Sequence, residues 1–425
     1  PVCSSAASDV YKRQALIRKY ESVFSRKTNE LPRPLKHVGP HKFKLKPDAT
    51  PTRVGRPKFG PAQTKIINDW LDWALNCTTV IDGKEVRTPL VKPAKTTSWS
   101  SRLVLAPKYK STTAKSSLPD SIRITWAGTG ANEMIQKTVP TYPDAWQQLY
   151  KVTNYKYKFS ADGLKQYWSI PLDEESREVT AFWTPRGLFK FTRLVMGTKN
   201  AATVAQNAYT HALNSHLNEK SQDNIANFAD DFIGGDNTYG GLLFHFEQFL
   251  KMCRDTGITL NPSKVRIGYV REQWYGLMVE EGKISPADRN LDPVRRMTAP
   301  HNKSDLRSVL GVFNQFSHFI PNYMKEGSPA KILNSLMPKS VDFKWTEVHE
   351  KALQDLKKIV LDGNICLFAP DHNSKLILET DASNDGWGAI LYQMIQGKKR
   401  IIKMWSKAWK TEAVSYTHLR AHETR

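Results

Sequence analysis

The sequence is poor in cysteine and lacks any long apolar run, and each absence narrows the class of protein. Four cysteines occur among 425 residues, at positions 3, 77, 253 and 366, without a Cys-x-x-Cys pair. That spacing excludes a zinc ribbon and a disulfide scaffold and is typical of a reducing compartment. No apolar stretch approaches the roughly 20 residues that a membrane-spanning helix needs. Acidic residues are also scarce, with 41 Asp plus Glu against 62 Lys plus Arg.

The excess of basic residues indicates the chemistry of the partner. A formal net charge of +21 favours binding to a polyanion, and nucleic acid is the foremost candidate. The alternative is a soluble basic protein without a specific partner. The length is sufficient for two or three domains with a sizeable core.

The two ends of the chain look foreign to the rest. Residues 4–14, SSAASDVYKRQ, resemble the in-frame translation of a commercial sequencing adapter. Residues 414–424, VSYTHLRAHET, resemble the translation of the matching adapter read outward. We therefore expect residues 1–14 and 414–425 to be library artefacts that flank a natural fragment of about residues 15–413.

Hydrophobic periodicity divides the chain into short elements of both types. Residues 60–76 carry apolar side chains at helical spacing behind Pro61, which predicts an amphipathic helix. Residues 32–56 are rich in Pro, Lys and Arg and indicate an extended arm. Other helical patterns cover residues 15–31, 200–217, 304–323 and 345–361, and β-type runs cover 101–107, 159–172, 179–191, 225–233 and 376–393. The pattern predicts an α+β body, a helical middle and the beginning of another mixed domain.

The stretch IANFADDFIGG, residues 225–235, sets Asp230 and Asp231 side by side among apolar residues. Taken alone, it is an Asp-rich hairpin turn between two buried strands, a common use of Asp. The other interpretation is a metal site, because nucleotidyl transfer uses two divalent ions and Mg²⁺ prefers oxygen ligands. Asp162, at the end of the β-type run FSAD, is the candidate third carboxylate.

Six segments together resemble the reverse transcriptase of gypsy-class LTR retrotransposons, and the likeness extends over about residues 20–413. They are FSADGLKQYWSIPL at 159–172, RLVMGTKNAATVAQ at 193–206, FADD at 228–231, WYGLMVEEGKISP at 274–286, SDLRSVLGVFNQFSHFIPNY at 304–323 and FKWTEVHEKALQDLKK at 343–358. A pair of acids is a weak signal, whereas six motifs in the family's order are a specific one.

The resemblance implies an α+β right-hand polymerase with fingers, palm and thumb. Fingers and palm would occupy residues 15–290, a mainly helical thumb and connection residues 291–372, and a truncated RNase H-like domain residues 373–413. The implied reaction is RNA- or DNA-templated addition of dNTPs to a primer 3′-hydroxyl, by a fragment of a retrotransposon Pol polyprotein. The partners would be template-primer and dNTPs, without a membrane, and the location would be cytoplasmic, in the virus-like particle of the parent element.

The resemblance also implies roles for individual residues. Asp162, Asp230 and Asp231 would be the catalytic ligands of two Mg²⁺ ions, with Mn²⁺ as the alternative ion. The residues implied in nucleotide binding are Lys108, Arg123, Tyr167, Gly197 and Gln206, with Tyr167 as a steric gate against the ribose 2′-hydroxyl; those of the primer grip are Trp274, Tyr275 and Gly276. Lys264, in LNPSK, would stand near the leaving pyrophosphate or be a solvated surface lysine.

Some positions depart from the family pattern and leave rival functions open. After Arg123, the stretch RITWAGTGANE lacks a second Arg, although Asn132 keeps its place. Met196 and Ala202 replace the usual Phe and Pro near the nucleotide site. These departures favour a catalytically decayed, nucleic-acid-binding remnant of a retroelement. A palm polymerase that makes RNA is a third candidate, against which Tyr167 and the RNase H segment argue.

Two further motifs concern other retroelement enzymes. TDAS at residues 380–383 resembles the start of the RNase H domain, with Asp381 as its first metal-binding carboxylate. Because one carboxylate cannot hold two ions, we expect no RNase H activity from this fragment. Asp255-Thr-Gly257 matches the aspartic-protease signature, but it ends a helical run, so Gly257 is interpreted as a helix stop.

Overall fold

The chain forms two compact units in a computed structural model that describes residues 2–27, 30–81, 83–95, 97–107, 122–362, 365–382 and 386–408. The first unit comprises Pro1–Val152 and Tyr157–Tyr269, and the second comprises Thr153–Lys156 and Val270–Arg425. Within the described ranges, the helices are all too short or too polar to cross a bilayer.

The first unit mixes short strands with helices. Its helices are α1 Val2–Lys19, α2 Pro61–Asn76, α3 Thr129–Met134, α4 Ala145–Thr153, α5 Glu174–Val179, α6 Ala201–His216, α7 Glu219–Gln222 and α8 Tyr239–Thr256. Its strands are β1 Thr78–Ile81, β2 Lys84–Arg87, β3 Val91–Pro93, β4 Arg102–Pro107, β5 Ile122–Ala127, β6 Tyr157–Asp162, β7 Phe182–Thr184, β8 Gly187–Phe191, β9 Ile225–Phe228, β10 Asp231–Asp236 and β11 Arg266–Tyr269.

A four-stranded antiparallel sheet lies at the centre of this unit, in the order β11-β6-β10-β9. Helices α6 and α8 pack on it through aromatic side chains. Phe159 of β6 contacts Phe246 with ring centroids 5.1 Å apart, and Phe232 of β10 contacts Phe249 at 5.0 Å. Gly234 faces Phe159 in the register, and a Cβ there would lie 2.3 Å from its ring. Gly234, which follows the paired acids, thus makes room for the ring of Phe159.

The N-terminal arm, residues 32–56, crosses the first unit in extended form, as its content of Pro, Lys and Arg predicts. The helical prediction over residues 15–31 is wrong beyond Lys19, where α1 ends. Phe24 forms a parallel bridge with Leu260 instead, because the chain there pairs with the body of the unit. The half-buried guanidinium of Arg33 holds the arm by donating to the carbonyl oxygens of Ser22, Val23 and Ile258.

The second unit begins with a small sheet and continues through helices to a second sheet. Its elements are β12 Glu272–Trp274, β13 Leu277–Glu280, β14 Lys283–Pro286, α9 Asp288–Arg295, α10 Lys303–Asn314, α11 Pro329–Asn334, α12 Glu347–Leu361, β15 Leu367–Phe368, β16 Ile377–Ala382, β17 Gly386–Ile395 and β18 Lys398–Ala408. Strands β12 to β15 pair in sequence order, and so do β16 to β18.

Most of the sequence-based elements are confirmed. The helix predicted over residues 60–76 is α2, and the one over 200–217 is α6. Gly257 ends α8 with a φ of 82°, as expected of a helix stop and not of a protease motif. The helix predicted over residues 304–323 is confirmed only as far as Asn314. Beyond it the chain forms a short 3₁₀ turn at Ser317–Phe319.

Candidate active site

The paired acids lie on the tight hairpin between β9 and β10. Phe228 pairs with Asp231 in the register, so Ala229 and Asp230 are the two residues of the turn. Ala229 has a φ of 54°, while Asp230 is not among the residues of positive φ. A positive φ at the first turn position is the pattern of a type II′ turn, whose twist suits a hairpin.

Asp162, at the end of β6, is brought beside this hairpin by strand pairing. It is the direct register partner of Asp231, and the amide of Gly163 donates to the carbonyl oxygen of Asp230 at 2.7 Å. Residues directly opposite in an antiparallel pair have Cα atoms about 4.5–5.5 Å apart. The fold therefore gathers all three predicted carboxylates at one end of two adjacent strands.

Lys264 is the cation that faces these acids. Its Nζ lies 2.6 Å from Oδ1 of Asp162, whose side chain is 12% exposed. Burial raises the pKa of Asp162, the hydrogen bond and charge of Lys264 oppose that effect, and the charge of Asp230 adds to it. Burial lowers the pKa of Lys264, but the hydrogen bond and charge of Asp162 outweigh it and leave that pKa raised. Each group thus favours the charged form of the other, whereas burial favours the neutral form of both.

The carboxylates fit a magnesium ion by their chemistry, because Mg²⁺ takes hard oxygen ligands. Among the residues that the structure describes, however, no group of three or more His, Cys, Asp or Glu side chains is close enough to hold a metal ion. Asp162 is turned toward Lys264 instead. The arrangement therefore fits an ion bound by one or two carboxylates and completed by substrate oxygens and water, which is the usual mode for Mg²⁺.

The candidate nucleotide residues lie on several elements of the first unit. Arg123 is exposed on β5, with its guanidinium 4.0 Å from Sδ of Met196. Gly197 has a φ of 102°, and a Cβ there would lie 2.5 Å from the carbonyl oxygen of Trp126. Asn132 fixes this segment, because its amide donates to the oxygen of Gly197 at 2.7 Å and accepts from the amide of Lys199 at 2.7 Å. Lys108 falls outside the described residues.

Tyr167 follows the strand that carries Asp162. It lies half-buried in the 3₁₀ turn Gln166–Ser169. Burial raises its pKa, and the charges of Tyr142 and Asp230 add to the effect, so the hydroxyl is neutral near pH 7. The ring of Tyr167 is therefore uncharged and lies within the electrostatic reach of Asp230.

The sequence pointed to Gln206 only as a nucleotide-binding residue and gave no sign of Gln166 and Asn227, although all three side-chain amides support the turn. Gln206 of α6 is 1% exposed, and its Oε1 accepts from the amide of Ala229 at 2.7 Å. Gln166 and Asn227 both donate to the carbonyl oxygen of Ala229, at 2.9 and 2.7 Å. The available signal was a glutamine on a helix face made mostly of Ala, Tyr and Leu, since a polar residue on a buried face needs a partner.

Comparison with protein-family models decides the identity of this region. Residues 104–313 match the family described as "Reverse transcriptase (RNA-dependent DNA polymerase)". Residues 345–422 match an "RNase H-like domain found in reverse transcriptase". Residues 104–313 are a reverse transcriptase domain. An RNase H-like domain of the type found in reverse transcriptases follows it. We call the four-stranded sheet β11-β6-β10-β9 the palm sheet, and the three candidate aspartates at its end lie within the first domain.

Curated relatives of this reverse transcriptase are polyproteins of viruses and transposons. The "Enzymatic polyprotein" of Cauliflower mosaic virus (strain NY8153) is 28% identical over 59% of this chain and 35% of its own length. The "Retrovirus-related Pol polyprotein from transposon 412" of Drosophila melanogaster is 27% identical over 77% and 25%. "Transposon Tf2-3 polyprotein" of Schizosaccharomyces pombe is 25% identical over 62% and 19%. The chain is homologous to retrotransposon Pol polyproteins and spans 19% to 35% of the length of these relatives.

Solved structures show the same fold. The foamy viral protease-reverse transcriptase in complex with double-stranded DNA matches with a TM-score of 0.77 and 18% identity, over 95% of this chain and 78% of that one. The same protein in complex with an RNA/DNA hybrid matches with a TM-score of 0.77 and 19% identity, over 95% and 50%. The α+β polymerase fold with an RNase H-like domain, expected from the sequence, is therefore confirmed.

The candidate primer grip of the reverse transcriptase lies on the β12–β13 hairpin of the second unit. Trp274 is buried, whereas Tyr275 is 52% exposed. Tyr275 and Gly276 have φ values of 47° and 75°, which is the pattern of a type I′ turn. Asn290 donates to the oxygen of Gly276 at 2.8 Å. The hairpin thus presents the ring of Tyr275 to solvent.

The candidate RNase H carboxylate is placed quite differently. Asp381 lies on β16, opposite Gly388 of β17. Its side chain is 80% exposed and lies 3.7 Å from Lys325. Residues 409–425, which include the end of SKAWKTEA and the second adapter-like segment, fall outside the described residues.

Proposed function

We propose that this chain extends a primer 3′-hydroxyl with deoxynucleotides on an RNA or DNA template, releasing pyrophosphate. The observation that carries the proposal is the register of the palm sheet, which sets Asp162 opposite Asp231 with Asp230 in the adjoining turn. When bound there, two divalent ions would activate the attacking hydroxyl and neutralise the charge that develops on the phosphates.

The protein groups around the acids have complementary tasks in this proposal. Asp162 and Asp230 are the essential metal ligands, and Asp231 is the lesser one. Arg123 is exposed on β5, where it can pair with the triphosphate of the incoming nucleotide. Lys264 already neutralises Asp162, and its ammonium lies at the edge where the leaving phosphates would gather.

Two residues, Gly197 and Tyr167, shape the nucleotide site in this proposal. Gly197, packed against the carbonyl of Trp126, keeps the segment below the nucleotide free of side-chain bulk. Tyr167 would exclude a ribose 2′-hydroxyl by its ring. The exchange Tyr167→Ala tests that role, because it should let the chain incorporate ribonucleotides. Unchanged discrimination between the two sugars would refute the gate.

Template-primer is the proposed macromolecular partner. The net charge of +21 supports it, and so do the complexes of the foamy viral structural neighbours with DNA and with an RNA/DNA hybrid. We expect the logarithm of affinity to fall by about 0.9 per tenfold rise in salt for each duplex phosphate neutralised. A binding isotherm at several salt concentrations measures this slope.

Primer extension on poly(rA)·oligo(dT) with Mg²⁺ tests the activity. The parent chain should extend the primer, and the Asp230→Asn variant should not. Asp223→Asn is the matched control, because Asp223 is exposed and precedes the same hairpin. A folded parent that binds template-primer without extending it would contradict the proposal and favour the second candidate, a decayed nucleic-acid-binding remnant. The replacement of an aromatic by Met196 beside Arg123 is the observation that favours that candidate.

A further inference from the structure

The turn that presents Asp230 is built on an unfavourable residue. Ala229 has a φ of 54° at the first position of a two-residue turn. Glycine is the usual residue there, because a Cβ makes positive φ costly. Left to itself, the Ala229 backbone would relax toward negative φ and carry the two following carboxylates with it. Something in the surrounding structure must hold the turn in place.

Three side-chain amides meet the backbone of Ala229. Its N–H donates to Oε1 of Gln206 at 2.7 Å, and its carbonyl oxygen accepts from Nε2 of Gln166 at 2.9 Å and from Nδ2 of Asn227 at 2.7 Å. Gln206 also donates to Oδ1 of Asn227 at 2.7 Å, which joins two of the three amides to each other. We call Gln166, Gln206 and Asn227 the amide clamp.

The three members of the amide clamp come from different elements. Gln166 follows β6, Gln206 lies on α6 and Asn227 lies on β9. Their exposed fractions are 5%, 1% and 1%. Buried hydrogen bonds between fully partnered groups are rigid, and breaking one leaves a buried polar atom without a partner. The amide clamp therefore fixes the turn relative to the strand that carries Asp162.

We propose that Gln166, Gln206 and Asn227 are positioning residues, which hold Ala229 at positive φ and so set Asp230 and Asp231 against Asp162. The inference rests on the proposed polymerase function and changes the expected role of Gln206. A direct contact of Gln206 with the nucleotide does not fit a side chain that is 1% exposed and whose amide oxygen and nitrogen are both engaged within the protein.

The first test is steady-state primer extension by the Gln206→Leu variant. We expect kcat to fall about tenfold, which corresponds to the roughly 1.4 kcal/mol that a broken buried hydrogen bond can cost. The KM for dNTP should stay within about twofold of the parent. Thr210→Val is the matched control, because Thr210 accepts from the same Gln206 at 3.0 Å but does not contact the turn. Its kcat should stay within about twofold of the parent.

The second test asks whether the amide clamp acts through Ala229. Glycine adopts positive φ freely, so Ala229→Gly should recover at least about threefold of the kcat lost in Gln206→Leu. General weakening of the core would not be rescued by a change in the turn. A thermal melt of each variant confirms that the folded protein is being compared.

The outcomes separate this inference from the proposed function. An active parent with an unchanged kcat in Gln206→Leu overturns the amide clamp alone. A Gln206→Leu variant with a raised KM for dNTP and an unchanged kcat overturns it in favour of a nucleotide contact. Failure of Ala229→Gly to restore kcat overturns it as well. A folded parent that extends no primer overturns the proposed function and the positioning role together.

Discussion

Two of the candidate metal ligands, Asp162 on β6 and Asp381 on β16, are held in opposite ways. Asp162 is buried, lies 2.6 Å from Lys264 and faces another aspartate, Asp231, in the register. Asp381 is 80% exposed, lies 3.7 Å from Lys325 and faces Gly388. The first belongs to a concentrated cluster of charge, and the second is a single solvated carboxylate.

The difference shows what surroundings an aspartate on a strand needs in order to act as a metal ligand. In the palm sheet, the neighbouring strand contributes further acids, a lysine limits their repulsion, and a supported turn fixes their position. A lone carboxylate in water offers an ion one ligand and pairs weakly with a nearby lysine, because solvent screens both charges. Burial and register, more than the residue type, separate the two sites.

The largest expected contrast is between Asp162→Asn and Asp381→Asn in primer extension. Loss of a ligand in the palm sheet should lower kcat by about 10³-fold or more, since the metals supply several kcal/mol of transition-state stabilisation. The same exchange at Asp381 should leave kcat within about twofold. Comparable losses from both variants would break the comparison.

The next contrast is between two glycines, Gly197 and Gly388, which differ in the space available for a Cβ atom. Gly197→Ala should destabilise the first unit by about 2–4 kcal/mol, because its φ is 102° and the new Cβ would lie 2.5 Å from the oxygen of Trp126. Gly388→Ala should change stability by less than about 0.5 kcal/mol, since the nearest atom to a new Cβ is 3.6 Å away. Hydrogen exchange resolved by mass spectrometry reads the two units separately. Equal protection changes would contradict the prediction.

The two ion pairs should differ by a smaller amount. Lys264→Ala leaves the buried Asp162 without its cation and should cost about 1 kcal/mol, a value lowered to allow for the exposure of the lysine. Lys325→Ala should cost less than about 0.5 kcal/mol, because both partners are exposed. Urea unfolding, with hydrogen exchange read in β6 and β16, measures both. A larger loss from Lys325→Ala would reverse the comparison.

Acid should weaken the first unit slightly through the half-buried side chain of His37. Burial lowers the pKa of His37, which lies in the N-terminal arm with its ring stacked on His211. The unfolded chain then binds the proton more readily, so this contribution is present above about pH 6.5 and is lost as the pH falls below it. The His37→Asn variant should lose less stability than the parent between pH 7.5 and 5.5, by under about 1 kcal/mol. An identical pH dependence of the urea midpoint would refute this.

The hydrophobic periodicity and the short motifs of the sequence predict much of the fold and of the candidate site. Helices α2 and α6 have apolar residues at helical spacing, and the palm strands are short β-type runs that end at Gly or Asp. The segments FSAD and FADD identify the three catalytic candidates, and the register of the strands places Asp162 opposite Asp231.

Contacts between distant segments could not be predicted in the same way. The partner of Lys264 and the members of the amide clamp depend on how strands and helices meet, which single-sequence periodicity does not encode. The early end of α1 has the same cause, because residues 24 and 25 pair with Leu260 in preference to continuing the helix. Propensity is a local quantity, and tertiary pairing overrides it.

The order of the palm strands also has a consequence for biogenesis. The β9–β10 hairpin is local and can form quickly, but Asp162 and Asp231 are about 70 residues apart in the chain, and β11 must still arrive on the far side of β6. Closing such a long loop is slow, because its entropy is lost before any contact rewards it. In a nascent chain, the three aspartates would therefore be synthesised well before they form a catalytic centre. The centre would be complete only once Lys264 and β11 have left the ribosome.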